Sequence, residues 1–229
     1  MNKERVYYIK PFTKAWFINI WYHYKIAIIF ILIAAVLLGI FIYDKVTEVK
    51  YDLTVLYIGD KASTTGNDLA DLKTKLDSVV PDINGDGKYQ TNCRSIFVSS
   101  ELAESEDYVA TNMTQADLEV SSGQTLVFLF GGGYEQPYVG DGKSDDSMCD
   151  LTELAKKYGY EDSQLKKYPD GRVYAISMKD NPLLNFDASD VYIVMFPPTE
   201  DNEENAKKFD AAKQIVEYMV SRGEYEIKR

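Results

Sequence analysis

The feature that most constrains this chain is an unbroken apolar run near its N-terminus. Residues 26–43 read IAIIFILIAAVLLGIFIY, and none of these 18 side chains is charged. As an α-helix, such a run is about 27 Å long, which is close to the thickness of the hydrocarbon core of a bilayer. A helix that is apolar on every face is typical of a membrane span or of the centre of a large core. We therefore predict a transmembrane helix over residues 26–43.

Aromatic and charged residues flank this run in the pattern of a membrane anchor. Trp21, Tyr22 and Tyr24 precede it and Tyr43 closes it, where aromatic belts meet the two membrane surfaces. Five basic residues precede the run, whereas the two that follow it are matched by two acidic residues. Because positive flanks favour the cytoplasmic side, we predict a single-pass protein of the cell membrane with a cytoplasmic N-terminus. The lipid bilayer is then one of its partners.

Residues 1–25 form a basic and aromatic tail before the predicted span. Its large apolar side chains recur at helical spacing: Phe12, Trp16, Phe17, Ile20, Trp21 and Tyr24. A helix with one apolar face can lie in the interface of the inner leaflet, parallel to the membrane. The alternative is that residues 11–24 extend the spanning helix by a few turns. The sequence favours neither interpretation.

Residues 44–50 are a short charged connector, and residues 51–229 are predicted to form one extracytoplasmic domain. Runs that are mostly β-branched, aromatic or leucine, such as 52–58 and 125–130, predict strands that are covered on both faces. Segments with apolar residues at helical spacing alternate with these runs, and the last of them follows a predicted N-cap at Thr199. This alternation predicts an α/β sandwich with a largely parallel or mixed sheet of about five strands.

Charge and composition exclude several classes of function. Residues 51–229 hold 18 basic and 33 acidic groups, a net charge of −15, which repels the phosphates of nucleic acids. The only histidine is His23. The domain therefore lacks the imidazole that a Ser-His-Asp triad, a Cys-His dyad or an HExxH zinc site requires. We expect no nucleic-acid partner, and the sequence identifies no catalytic residue.

An acidic turn at residues 82–87, DINGDG, has the ligand order of the first half of an EF-hand calcium loop. Asp82, Asn84 and Asp86 place oxygen atoms at alternating positions and are the candidate calcium ligands. The twelfth position of such a loop carries a bidentate acid, but here it is Cys93. The alternative is a tight turn that side-chain hydrogen bonds close without a metal. Calcium is the only cofactor that the sequence suggests.

This turn is part of two resemblances to known proteins. DINGDGKY, at residues 82–89, resembles the calcium loops of dockerin-like repeats. More broadly, the aromatic tail, the single span, the strand YDLTVLYIG and this turn resemble single-pass membrane proteins of Gram-positive bacteria with an extracytoplasmic α/β domain. This second resemblance implies a bacterial membrane location and the architecture predicted above. It implies no active site.

The domain contains two cysteines, Cys93 and Cys149, in a compartment that can be oxidising. One prediction is a disulfide between them, which would close a loop of about 57 residues and stabilise the fold by roughly 4 kcal/mol. The alternative is a pair of separate buried thiols. Geometry decides between them, because a disulfide cannot join Cα atoms more than about 7 Å apart.

A glycine-rich segment directly follows the predicted strand at residues 125–130 and consists of Gly131, Gly132 and Gly133. In open α/β sheets, ligands bind beyond the carboxyl ends of strands, where flexible backbone can approach them. Tyr134 and Tyr138 would supply aromatic walls to such a site. We therefore predict a ligand- or partner-binding loop here, and the alternative is an ordinary surface loop.

These patterns lead to one main functional hypothesis. A membrane-anchored extracytoplasmic binding or accessory domain fits them best, working beside a transporter or a cell-surface assembly and contacting a membrane or envelope protein. A carboxylate-dependent surface hydrolase is one alternative, since two acids can catalyse glycoside hydrolysis without histidine. A structural scaffold of the cell envelope is another. Whether the protein is an enzyme stays open, with the sequence favouring binding.

Overall fold

A computed structural model describes residues 10–47, 49–60, 66–98, 106–139 and 147–225 of the chain. The chain divides into two compact units, Met1–Val49 and Lys50–Arg229.

The described part of the first unit contains one long helix, α1 (Lys14–Thr47). Its 34 residues include no buried side chain, and it is about 51 Å long at the usual rise per residue. Among the described residues it is the one helix that is long and apolar enough to cross a membrane. The helix is continuous from Lys14 onward, so the aromatic segment extends the apolar helix and does not form a separate one.

The second unit is a six-stranded mixed sheet with helices, which confirms the predicted α/β class. The strands are β1 (Leu53–Gly59), β2 (Thr91–Phe97), β3 (Val127–Gly131), β4 (Leu165–Lys167), β5 (Val173–Ser177) and β6 (Val191–Met195). The helices are α2 (Gly66–Asp77), α3 (Glu106–Ser122), α4 (Thr152–Lys157) and α5 (Glu203–Val220). The order of the strands across the sheet is β2-β1-β3-β6-β5-β4.

The sheet has one strand more than the predicted five or so. The additional strand is β4, which has only three residues, Leu165, Lys166 and Lys167, and none of them is buried. It is the outermost strand of the described sheet, where it pairs with β5. An edge strand this short and this polar carries no apolar run, so hydrophobic pattern alone does not reveal it.

Strand β1 lies at the centre of the parallel half of the sheet, between β2 and β3. Its residues alternate between two cores. Val55 and Tyr57 pack on the face that α2 and α5 cover, whereas Leu56 and Ile58 pack on the face that carries Ala116 of α3. The connections from β1 to β2 and from β2 to β3 therefore cross on opposite faces of the sheet. This places a topological switch point between the carboxyl ends of β1 and β3.

The other half of the sheet is antiparallel. β6 runs against β3, so that Gly131 at the end of β3 lies opposite Val191 at the start of β6. β5 then pairs with β6, and β4 pairs with β5. Consequently, the carboxyl ends of β1 and β3 lie together at one edge of the sheet. Their amino ends lie at the opposite edge, together with the carboxyl end of β6. These two edges are formed by the ends of the strands, not by the outermost strands β2 and β4.

The last helix, α5, begins later than the sequence predicts. Its N-cap is Asn202, whose Oδ1 accepts the backbone N–H of Asn205 (2.8 Å). The predicted cap, Thr199, instead donates its hydroxyl to the carbonyl of Ser122 (3.4 Å) at the end of α3. Asn is as good a cap as Thr or better, so two candidates in one segment cannot be ranked by residue type alone.

Candidate functional site

The carboxyl ends of β1 and β3 approach each other at two glycines. A Cβ atom on Gly59 would lie 2.5 Å from the hydroxyl oxygen of Tyr57, and one on Gly131 would lie 2.9 Å from it. Both distances are shorter than real contacts allow, so only glycine permits this approach. The buried Tyr57 hydroxyl donates to the carbonyl of Asp60 (3.2 Å), which fixes the first residue after β1. The switch point is thus closely packed at its base.

The predicted binding loop leaves β3 at this point and folds into two consecutive turns. The N–H of Tyr134 donates to Gly131 (3.3 Å), and the N–H of Gln136 donates to Gly133 (3.2 Å). Gly132 and Gly133 have φ angles of +64° and +77°, a conformation that side-chain-bearing residues rarely adopt. The glycines therefore make the turn, which accounts for the glycine-rich pattern in the sequence.

Tyr134 links the ends of three strands. Its hydroxyl lies 3.3 Å from both Asp60 Oδ1 and the carbonyl of Val98, which follow β1 and β2. Burial and the neighbouring Asp60 carboxylate both raise the pKa of Tyr134. The hydroxyl therefore stays protonated at neutral pH and can serve as a donor to this carboxylate.

Tyr138, at the other end of the loop, also has a carboxylate as the partner of its hydroxyl. Its hydroxyl donates to Asp117 Oδ1 on α3 (2.6 Å), and burial together with this carboxylate raises the pKa of Tyr138. Its ring packs against Phe130 and Phe196, with centroids 5.7 and 6.5 Å away. Gly131, Gly132, Gly133, Tyr134 and Tyr138 thus all lie in this one loop, and ligand or partner binding by them stays a prediction. Each of the two tyrosines already has a partner in the fold and braces the loop.

Between these tyrosines lies a buried acid that sequence analysis missed. The Glu135 side chain has no exposed surface; its Oε1 forms an ion pair with Lys166 of β4 and accepts Gln136 Nε2 (3.0 Å). The Lys166 ammonium lies 4.1 Å from the ring centroid of Tyr192. Within the described part of the chain, Glu135 Oε2 has no hydrogen-bond partner. This ion pair connects the loop to β4, the outermost strand of the sheet.

The candidate calcium loop is closed by its own hydrogen bonds. Asp82 accepts the N–H groups of Gly85 (2.7 Å) and Gly87 (2.9 Å), one on each carboxylate oxygen. Asn84 and Asp86 each accept the N–H two residues ahead, both at 2.9 Å. Over the described ranges, no group of three or more His, Cys, Asp or Glu side chains is placed to hold a metal ion. Calcium binding therefore stays a prediction, and the metal-free turn accounts for every contact observed.

A second buried acid, Asp52, attaches this loop to the sheet. Its Oδ1 accepts the N–H groups of Ile83 (2.8 Å) and Asn84 (3.2 Å), and its Oδ2 accepts that of Gln90 (2.9 Å). One carboxylate thus holds both ends of the loop at the start of β1. Three backbone donors around one buried carboxylate indicate a structural role.

The predicted disulfide partners lie far apart across the sheet. Cys93 is on β2, and Cys149 lies beside β6, where its N–H donates to Met195 (2.7 Å). A row of paired residues crosses the sheet from Cys93 through Val55 and Val127 to Met195. At about 4.8 Å per strand, this row is about 14 Å long, twice the reach of a disulfide. Both cysteines are free, so the alternative of two separate, partly buried thiols describes the structure.

We predict that replacing Asp52 by Asn destabilises the domain by about 1–3 kcal/mol, because the amide nitrogen would face a backbone donor in a buried place. The matched control is Asp86→Asn. Asp86 is exposed and accepts a single N–H, which the amide oxygen can still do, so about 0.5 kcal/mol or less is expected. Urea unfolding of the full chain in detergent micelles measures both. Equal stabilities for the two variants would contradict the role of Asp52.

We also predict that both thiols resist alkylation in the folded protein. Burial raises the pKa of Cys93 to about 12 and that of Cys149 to about 11. At pH 8, no more than about one thiol in 10³ is then the reactive thiolate. Without reductant, iodoacetamide should leave the native chain unmodified by intact mass and add two groups after denaturation. The variant Cys93→Ser should add one, and no addition to the denatured chain would reveal a disulfide.

Comparisons with known proteins add no family to this description. Protein-family models, curated proteins and solved structures were each compared with the chain, and none of them matches it. The switch-point loop, the Asp52-bound turn and the long apolar helix therefore have to be interpreted from their own chemistry.

Proposed function

We propose that the protein is a membrane-anchored extracytoplasmic binding or accessory domain. The observation that carries the proposal is α1, whose 34 residues include none that is buried and which precedes a separate compact α/β unit in the same chain. A helix this apolar is unfavourable in water unless lipid or protein covers it. A single such helix attached to a folded domain is the arrangement of a tethered protein.

The proposed orientation rests on charge. Basic residues are concentrated before the apolar segment, which favours a cytoplasmic N-terminus and places the domain on the outside. The domain itself has a net charge of −15. It is therefore repelled by anionic lipid headgroups and stays soluble beside the membrane. The partner that we propose for it is a membrane or envelope protein.

We place the binding surface at the switch point between β1 and β3. Strand order and crossovers put a topological switch point there, and in open α/β sheets ligands bind at such points. Gly132 and Gly133 expose backbone without side chains, and the Asp60 carboxylate lies beside them, 3.6 Å from where a Cβ of Gly132 would be. The bracing by Tyr134 and Tyr138 favours this surface, because a loop that is already ordered loses little entropy on binding.

The hydrolase alternative has less support. Glycosidases use two carboxyl groups about 5–9 Å apart across a cleft. Of the described residues, two acids are buried, Asp52 and Glu135. Asp52 precedes β1 and Glu135 follows β3, which puts them at opposite edges of the sheet. Each is also occupied, one by three backbone donors and the other by Lys166.

The topology gives the first test of the proposal. Protease added to intact cells that express the full chain should degrade the domain and leave an N-terminal fragment of roughly 5 kDa, because the bilayer protects the first 45 or so residues. Immunoblotting with tags on both termini measures this. The control is lysis before digestion. A C-terminal tag that survives in intact cells but not after lysis would contradict the orientation.

The binding surface gives the second test. We predict that a photo-cross-linking amino acid at position 133 captures a membrane or envelope protein in native membranes. A Cβ on Gly133 would meet nothing within 4 Å, so the probe points into open space. The matched control is position 171, where Gly171 also has a positive φ (+93°) and open surroundings, but lies in the turn between β4 and β5.

The expected result is a discrete cross-linked band at position 133 that is absent at position 171, with mass spectrometry identifying the same partner in replicate experiments. Both variants carry similar backbone strain, because each replaces a glycine with a positive φ, +77° at position 133 and +93° at position 171. Their melting temperatures should therefore be similar. Identical cross-linking patterns at the two positions, or none at 133, would show that the switch point is not the binding surface.

A further inference from the structure

We propose that the domain has a second binding site, a polar cleft at the opposite edge of the sheet that accepts a neutral, hydroxyl-rich ligand such as a short saccharide. The cleft has a volume of about 490 Å³, within the range of about 300–1,000 Å³ that is typical of ligand pockets. It lies at the amino ends of β1 and β3, whereas the switch point lies at their carboxyl ends.

Four separate segments of the chain form the cleft. Thr54 comes from the start of β1 and Arg94 from β2. The third segment is the end of α3 and the approach to β3, residues 122–126, and the fourth is the first turns of α5 with the residues before it, 199–208. Because distant parts of the sequence supply the lining, no local motif predicts this cleft.

The walls of the cleft are held in place by contacts within the fold. A Cβ on Gly123 would lie 2.4 Å from the Thr199 side chain, so glycine is required where the end of α3 meets the segment before α5. Asn205 Nδ2 donates to the carbonyl of Glu200 (3.1 Å), and Thr125 donates to Glu119 (3.3 Å). A cleft whose walls are already ordered loses little entropy when it binds a ligand.

The charges of the cleft disfavour an anionic ligand. Its two cations are both ion-paired, Arg94 with Glu119 (2.6 Å) and Lys208 with Glu204 (2.7 Å). The carboxylate of Glu200 also lines the cleft. Among the described residues that line the cleft, no cationic group is therefore left to neutralise a phosphate or a carboxylate, and bringing in such an anion would add a like charge.

The remaining lining favours a ligand whose groups both donate and accept hydrogen bonds. Apart from the charged groups, the side chains are mainly hydroxyls and amides, which offer donors and acceptors side by side: Thr54, Ser122, Gln124, Thr125, Asn202 and Asn205. A sugar hydroxyl can satisfy both kinds of group at once. Several of these groups already have one partner in the fold, such as Thr125 with Glu119 and Asn205 with Glu200, and an apolar ligand would cover their remaining hydrogen-bonding capacity at a cost.

Two further features suit a saccharide. The Arg94 Nε–H is buried in the wall, and no acceptor in the described part of the chain pairs with it. A ligand oxygen would relieve this unpaired donor after a small shift of the guanidinium. Tyr51, whose side chain is about two-fifths exposed, lines the same cleft and offers an aromatic face to the C–H groups of a sugar ring.

Saturation-transfer NMR on the full chain in lipid nanodiscs tests the site, because sugar-based detergents would compete. The probes are cellotriose, maltotriose and triacetylchitotriose, with trigalacturonate as the anionic comparison. We expect at least one neutral probe to bind with a Kd on the order of 1 mM and the anionic probe to bind more weakly. No neutral binding up to about 20 mM, or tighter binding of trigalacturonate, would overturn the proposal.

Variants locate the binding on the protein. Asn205→Ala and Gln124→Ala each remove one amide from the cleft and should weaken the binding of the neutral probe about tenfold. Asn185→Ala is the matched control, since Asn185 bonds to Asp71 and Lys75 away from the cleft. Tyr134→Phe alters only the switch point and should also bind normally. Equal affinity in all four variants would refute the cleft, whatever becomes of the switch-point partner.

Discussion

The architecture depends on one constraint, which is that β1 must be covered on both of its faces. Its buried side chains alternate between the two cores, with Tyr57 on one side and Ile58 on the other. Helices α2 and α3 therefore have to lie on opposite faces, and the two crossovers diverge from β1. The topological switch point between the carboxyl ends of β1 and β3 follows directly from this divergence. The position of the proposed binding surface is thus a consequence of how the core is built.

Much of this core was accessible to sequence reasoning, because β1 and β3 are continuous apolar runs. The features that the sequence did not predict depend on pairing between residues that are distant along the chain. The three residues of β4 form a strand only because β5 lies beside them. Glu135 and Asp52 look like surface acids in the sequence, since burial of a carboxylate depends on partners that are remote along the chain. Lys166 is 31 residues from Glu135, and the donors to Asp52 are 31 to 38 residues away.

The two edges of the sheet differ in chemistry. At the switch point, glycine backbone, tyrosine hydroxyls and carboxylates are already bonded to one another, and the surface presented is mostly backbone. At the opposite edge, hydroxyl and amide side chains surround a cleft of about 490 Å³. In the two proposals made above, the first surface binds a protein partner and the second binds a small polar molecule. Under these proposals, one domain would combine recognition of a ligand with attachment to a partner.

The ion pair between Glu135 and Lys166 limits how this protein can change over evolutionary time. Glu135 is fully enclosed, so losing Lys166 alone would leave a buried negative charge and cost about 3–5 kcal/mol. Replacing both residues by apolar ones of similar size can be close to neutral. Substitutions at these two positions are therefore tolerated only when both residues change together. In diverging descendants of this chain, positions 135 and 166 should covary, and that covariation would mark the attachment of the loop to β4 even where both charges have been lost.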